Sequence, residues 1–202
     1  MTNYVSNVLI VLACPNDATD NRLMEILKLC KIFGQNCTNR GINVDVIDLY
    51  SEKEFVGTDY LPPNNSKVLE YQIRLNRADT AVFFHPVVLD GIPAILKGFL
   101  DNVLISGFAY KIENRIPKGL MNSKRALVFS FDTKSKWQSK VIFGDQLGNF
   151  WCKSVFDFMD LDGRLFVANN FRSANRKTLE SWQNQIIKIA NNLKVKPSVI
   201  DF

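Results

Sequence analysis

Cys14-Pro15-Asn16-Asp17-Ala18-Thr19-Asp20-Asn21 follows an unbroken apolar run, Val8 to Ala13, and precedes a stretch with helical apolar spacing. Thr19 and Asn21 thus bring a hydroxyl and an amide to a predicted helix N-terminus, where unpaired N–H groups and the helix dipole favour a phosphate. The same residue types, Thr19 and Asp20 above all, also serve as plain helix caps, and the local sequence alone favours that simpler role. Neither G-x-G-x-x-G nor the G-K-S/T of a P-loop is present. A second stretch, His85 to Pro93, is apolar and stiffened by Pro86 and Pro93, suiting it to lie along a flat aromatic ligand. His85 is the only histidine, and a partly buried, hydrogen-bonded side chain is the simpler reading of it than a catalytic base. Lys134, Lys136 and Lys140 share one predicted loop, as a solvated surface or as a guide for a phosphate-bearing cofactor. Cys14, Cys30, Cys37 and Cys152 form no C-x-x-C pair, so no metal site is expected.

The elements that must position these residues follow from periodicity. Val8 to Ala13 reads as a strand buried on both faces. Leu23, Ile26, Leu27, Cys30 and Phe33 keep the 3.6-residue period of a helix, and Val44, Val46, Ile47 and Leu49 mark a second strand. A polar, proline-bearing surface excursion from Ser51 to Asn65 precedes a helix over 66–77 and a third strand over 80–86. Pro93 suits the first turn of a very apolar helix, Arg125 to Phe131 makes a fourth strand and Arg164 to Ala168 a fifth. A helix around Leu147 to Met159 lies between those strands, and a last one, capped near Asn175, carries Leu179, Trp182, Ile186, Ile187, Ala190 and Leu193 on one stripe. Strands alternating with helices predict an α/β domain, a five-stranded parallel sheet between two helical layers. Ligands then bind beyond the carboxyl ends of the strands, which directs attention to the loops after strands one, three and four.

At 202 residues, one domain over 1–202 with a C-terminal tail at 194–202 is expected. With 47% hydrophobic and 22% charged residues, the composition is that of a water-soluble globular protein. A net charge of +5 spread along the chain gives no basic patch or module of nucleic-acid binders. The N-terminal apolar run is too short to span a bilayer and has no positive flank, so no membrane insertion and a cytoplasmic location are expected, with reduced thiols.

The stretch P-x-x-x-x-G-I-P-A-I-L-K-G-F-L-D-N-V-L-x-x-G-F-A-Y, from Pro86 to Tyr110, closely resembles the signature of the NAD(P)H:quinone reductase family, the DT-diaphorase-like branch of flavodoxin-like proteins. The opening V-L-I-V-L-A with Pro15, Thr19 and Asn21 also resembles that family's phosphate-side motif, and the order of elements agrees over roughly residues 7–193. The resemblance implies a flavodoxin-like three-layer sandwich that binds a flavin, FMN or FAD, and takes electrons from NAD(P)H. It places Thr19, Asp20 and Asn21 at the phosphate and Pro86, Val87, Val88, Leu89 and Asp90 along the ring. Ser130, Phe131, Asp132 and Thr133 would hold the ring's other edge. Tyr110 would reach the ring of a partner subunit in a homodimer, which would also account for the apolar helix after Pro93.

This sequence departs from that pattern in several places. Cys14 stands where the family has histidine, Leu89-Asp90 replaces an aromatic pair, and Ser130 to Thr133 lack a double glycine. Trp137 and Phe143, anchored on Gly144-Asp145, take the positions of the family's active-site tyrosine and histidine, leaving the catalytic residues unassigned. Phe143 donates no hydrogen bond and Trp137 offers only its indole N–H. The implied activity is two-electron transfer from NAD(P)H to a quinone or similar aromatic acceptor. The alternative is a regulatory subunit that keeps the fold and dimer surface with little or no turnover. A simple electron-transfer flavodoxin fits poorly, because such proteins are shorter and acidic.

Overall fold

Side chains that alternate along β1 (Asn7–Leu12) divide the core in two. Val8, Ile10 and Leu12 join one buried apolar cluster and Leu9 and Val11 the other, as the period-2 geometry of a strand requires. The computed structural model describes residues 6–17, 19–52, 61–62 and 64–193. Along the chain, β1 is followed by α1 (Asn21–Thr38), β2 (Asn43–Asp48), α2 (Leu49–Glu52), α3 (Ser66–Arg77), β3 (Thr80–Pro86) and α4 (Ala94–Val103). Then come β4 (Tyr110–Glu113), β5 (Ile116–Gly119), β6 (Arg125–Phe131), α5 (Gln146–Gly148), β7 (Asp162–Ala168) and α6 (Arg176–Asn191).

Five strands pair in parallel in the order β2-β1-β3-β6-β7, the flavodoxin-like arrangement. α1 and α6 cover one face, with Phe33, Cys37, Ile186 and Ala190 buried among Phe84, Leu127 and Phe129. α3, α4 and a π-helical segment, Asn149–Asp157, cover the other through Tyr71, Phe99 and Trp151. The expected three-layer sandwich with a five-stranded parallel sheet is therefore present. Most of the excursion after Ser51 and the tail expected at 194–202 lie outside the described residues.

Two features differ from the reading by periodicity. Tyr110 to Gly119 form a separate antiparallel hairpin, β4-β5, closed by Asn114 and Arg115, both at positive φ. The helix predicted around Leu147 to Met159 is largely π-helical, with a wider turn than apolar spacing can distinguish. The apolar residues of α4, Ile95, Leu96, Phe99, Leu100 and Val103, are buried in this chain's own core. Its composition is thus accounted for without a second subunit.

Strand order reverses between β1 and β3, since the chain leaves β1 for one neighbour and later returns to the other side. The crevice beyond the carboxyl ends of these strands is where such sheets bind ligands.

Candidate functional site

A cavity of about 460 Å³ lies at that crevice, lined by Thr19, Asp20, Asn21 and Arg22 at the start of α1, Pro86 and Val87 after β3, and Phe131 and Thr133 after β6. Its size falls in the range of small-molecule sites. Phe171 and Arg172, on a short turn after β7, complete the wall. Residues 112 positions apart, Thr19 and Phe131, are thus brought to one cavity by the β1-β3-β6 order.

The α1 end carries mixed charge. Asp20 is the N-cap, its Oδ1 accepting from the N–H groups of Arg22 at 2.8 Å and Leu23 at 3.4 Å. Thr19 donates its hydroxyl to Asp17 Oδ1 at 2.7 Å, and this bond holds the Asp17 carboxyl below its usual pKa. The chain's own carboxylates therefore occupy part of the donor set that would greet a phosphate. Arg22 and Arg172 supply the opposing charge, and Arg22 Nη1 reaches Ala174 O at 3.5 Å, tying α1 to the turn after β7.

A second cavity, about 370 Å³, shares Val87 with the first and is lined by Asp90, Asp132, Lys136, Ser139, Lys140 and Asp145, with Leu165 and Val167. The two together run from the α1 N-terminus past the ends of β3 and β6 to the 132–148 segment. Lys134 joins the flanking loops: its Nζ lies 2.8 Å from Asp90 Oδ1 and 3.6 Å from Asp132 Oδ1. Its ammonium also stands 5.5 Å from the centre of the Phe143 ring. The Asp90 hydrogen bond, first among several contributions, raises the Lys134 pKa, so the group is a fixed cation.

Below the site, His85 is fully buried. Its Nε2 accepts from Ser130 Oγ at 2.8 Å and Trp151 Nε1 at 3.2 Å, which leaves Nδ1 to donate to Pro86 O at 2.9 Å. All ring capacity is used, and burial lowers its pKa to about 4. This neutral imidazole is a strut beneath β3 and β6, in line with the structural role expected of it. Cys14 is equally buried, its thiol pushed up to about 12 by desolvation. Its Sγ sits 3.7 Å from Leu23 O, packing under the first turn of α1 rather than acting as a base.

The predicted site residues fall into three sets. Thr19, Asp20, Asn21, Pro86, Val87, Phe131 and Thr133 line the first cavity, and Asp90 and Asp132 line the second. Ser130 lies under the floor on His85, while Val88, paired with Gly91, and Leu89, in the two-residue turn that pair closes, are exposed. Tyr110 is half-buried against Phe158, ring centres 4.8 Å apart, and Trp137 and Phe143 are exposed, Trp137 by 63%. Arg22 and Arg172 were not singled out in the sequence, whereas Lys134 was, as a solvated or phosphate-guiding lysine, and it bridges Asp90 and Asp132 instead. Arg22 adjoins Asn21 and could have been picked out as a cation in the first helical turn, whereas nothing local marks Arg172.

The sequence profile of the flavodoxin-like fold family matches residues 6–188. The FMN-dependent NADH:quinone oxidoreductase of Caldicellulosiruptor saccharolyticus is 25% identical over 156 residues, 72% of this chain and 74% of that protein. The NAD(P)H dehydrogenase (quinone) 1 of Rattus norvegicus is 38% identical over 128 residues, 59% of this chain and 47% of that protein. In structure, an FMN-dependent NADH-azoreductase from Bacillus anthracis in complex with FMN aligns with a TM-score of 0.71 at 21% identity, covering 94% of this chain and 99% of that one. No helix among the described residues is long and apolar enough to cross a membrane, and none of their His, Cys, Asp or Glu side chains cluster to hold a metal. With the parallel sheet, the crevice at its switch point and the Pro86–Tyr110 signature on one chain, the protein belongs to the flavodoxin-like fold family as a divergent member of its NAD(P)H:quinone reductase branch.

Proposed function

We propose that the protein is a flavin-dependent oxidoreductase that transfers two electrons from NAD(P)H to a quinone or a similar aromatic acceptor. The observation that carries this reading is the cavity of about 460 Å³ joining the α1 N-terminus to the ends of β3 and β6. Its residues fit a flavin nucleotide: a helix N-terminus with Arg22, Arg172 and Asn21 at one end, and a wall of Pro86, Val87 and Phe131 beside it. FMN is the form proposed, in keeping with the names of the bacterial relatives.

Bound flavin supplies the redox chemistry, storing two electrons between donor and acceptor. The chain's part is positioning and charge. Asn21 and the two arginines hold the phosphate, Pro86 and Val87 present a flat apolar edge, and the His85–Ser130–Trp151 network keeps β3 and β6 from shifting under it. The exposed apolar side chains of Val88, Leu89, Trp137, Val141, Ile142 and Phe143 support a homodimer that covers this end of the sheet, with Tyr110 of each subunit near the other's site. Four free cysteines suit a reducing, cytoplasmic setting.

Titration with FMN followed by flavin fluorescence, then NAD(P)H oxidation with menadione, tests the reading. Quenched, protein-bound flavin and steady turnover are expected. Protein that binds neither FMN nor FAD overturns it. Flavin bound without turnover favours the regulatory alternative, for which the loss of side-chain donors at Phe143 is the supporting observation.

A further inference from the structure

Resting on the flavin reading, we propose that the Asp90–Lys134–Asp132 cluster sets the redox potential of the bound flavin, with Lys134 favouring the reduced ring and Asp90 opposing it. Three segments meet at the Lys134 ammonium: the tip after β3 through Asp90, the end of β6 through Asp132, and the 138–143 segment through the Phe143 ring. Asp90 and Asp132 both line the cavity that shares Val87 with the candidate flavin site. Asp132 is almost fully buried, and its carboxylate also accepts from Ser139 Oγ at 2.6 Å and from the Lys134 N–H at 3.0 Å. This is therefore a built cluster with fixed geometry, unlike the exposed Lys140–Asp145 pair at 3.5 Å on the same cavity.

Two electrons delivered with one proton add one negative charge at the ring, and oriented donors or cations nearby stabilise it. Phe143 offers no donor, and the Trp137 side chain is mostly in solvent. Lys134 is the cation held between the loops that flank the slot. Because two carboxylates share it, the cluster carries a net charge of one negative unit: one Lys against Asp90 and Asp132. Neutralising the cation and neutralising an anion must then move the potential in opposite directions. Loss of a merely structural ion pair would give no such opposition, since either substitution breaks the same contact.

The experiment uses the full chain loaded with FMN, equilibrated against a redox dye at a fixed potential. For K134M the ratio of reduced to oxidised flavin should fall about tenfold, equivalent to about 30 mV for a two-electron couple. D90N should raise the ratio severalfold, and K134R should restore it to near that of the natural sequence. Shifts of the same sign in K134M and D90N, or no shift in either, overturn the inference while the flavin reading stands. If K134M fails to fold, D90N alone decides: a raised ratio supports the inference and an unchanged one overturns it. Unaltered protein that takes up no FMN overturns the flavin reading and this inference with it.

Discussion

Asp20 places a carboxylate on the N–H groups of Arg22 and Leu23, where a nucleotide phosphate would bind. Serine caps a helix nearly as well without the charge. Asp20→Ser should therefore tighten FMN binding by about 1 kcal/mol, roughly fivefold, the scale of one charge at a helix end. Fluorescence titration checks this, and weaker binding in the variant would show that Asp20 helps rather than hinders. His85 gives a second expectation. Unfolded, it takes up a proton near its ordinary 6.5, whereas in the folded protein burial holds it neutral down to about 4. The unfolded state binds more protons between these values, so stability is full above 6.5 and falls as pH drops toward 4, by about 3 kcal/mol at the lower limit. Urea unfolding at pH 7 and near pH 4.5, compared between the natural chain and His85→Gln, should show this loss in the former and much less in the latter.

At the scale of elements, the β4-β5 hairpin docks through Gly119, where an added Cβ would come 2.3 Å from the Met159 carbonyl carbon. That neighbour is backbone, which cannot swing aside. Gly119→Ala should cost about 1–3 kcal/mol, as overpacking does, visible as a lower urea midpoint with an unchanged slope. The strands and long helices were legible in the sequence because Val8 to Ala13, Thr80 to Pro86 and Arg125 to Phe131 are apolar on both faces and α6 keeps one stripe. The hairpin was not legible. Its four-residue strands are mostly exposed, and Asn114-Arg115 lacks the glycine that usually announces such a turn. Of the candidate site, the Thr19–Asn21 and Pro86–Val87 walls could be read from strand-end logic. The Lys134–Asp90 pair could not, since partners 44 positions apart in two loops look like solvated charge until the fold joins them.

At the scale of the whole molecule, Val88, Leu89, Trp137, Val141, Ile142 and Phe143 are exposed apolar side chains. Exposed apolar groups on neighbouring segments mark association surfaces. Sedimentation should give a mass near twice the chain's 23.0 kDa, and Trp137→Glu should shift it toward one chain by burying an unpaired charge in the contact. A single-chain mass for the unaltered protein at micromolar concentration would rule out the dimer.

Three of the four thiols are sealed inside the fold, with Cys14 and Cys30 held near 12 and Cys37 near 11 by burial, while Cys152 is exposed at the rim of the 370 Å³ cavity. Thiolate, not thiol, reacts with alkylating dyes. Burial raises the Cys152 pKa too, but it alone of the four is exposed, so a maleimide fluorophore added to native protein at mildly alkaline pH should attach once, there, and mass spectrometry of the intact chain would verify the stoichiometry. Nature has in effect supplied a ready anchor for a reporter of ligand entry, with no engineered substitution required.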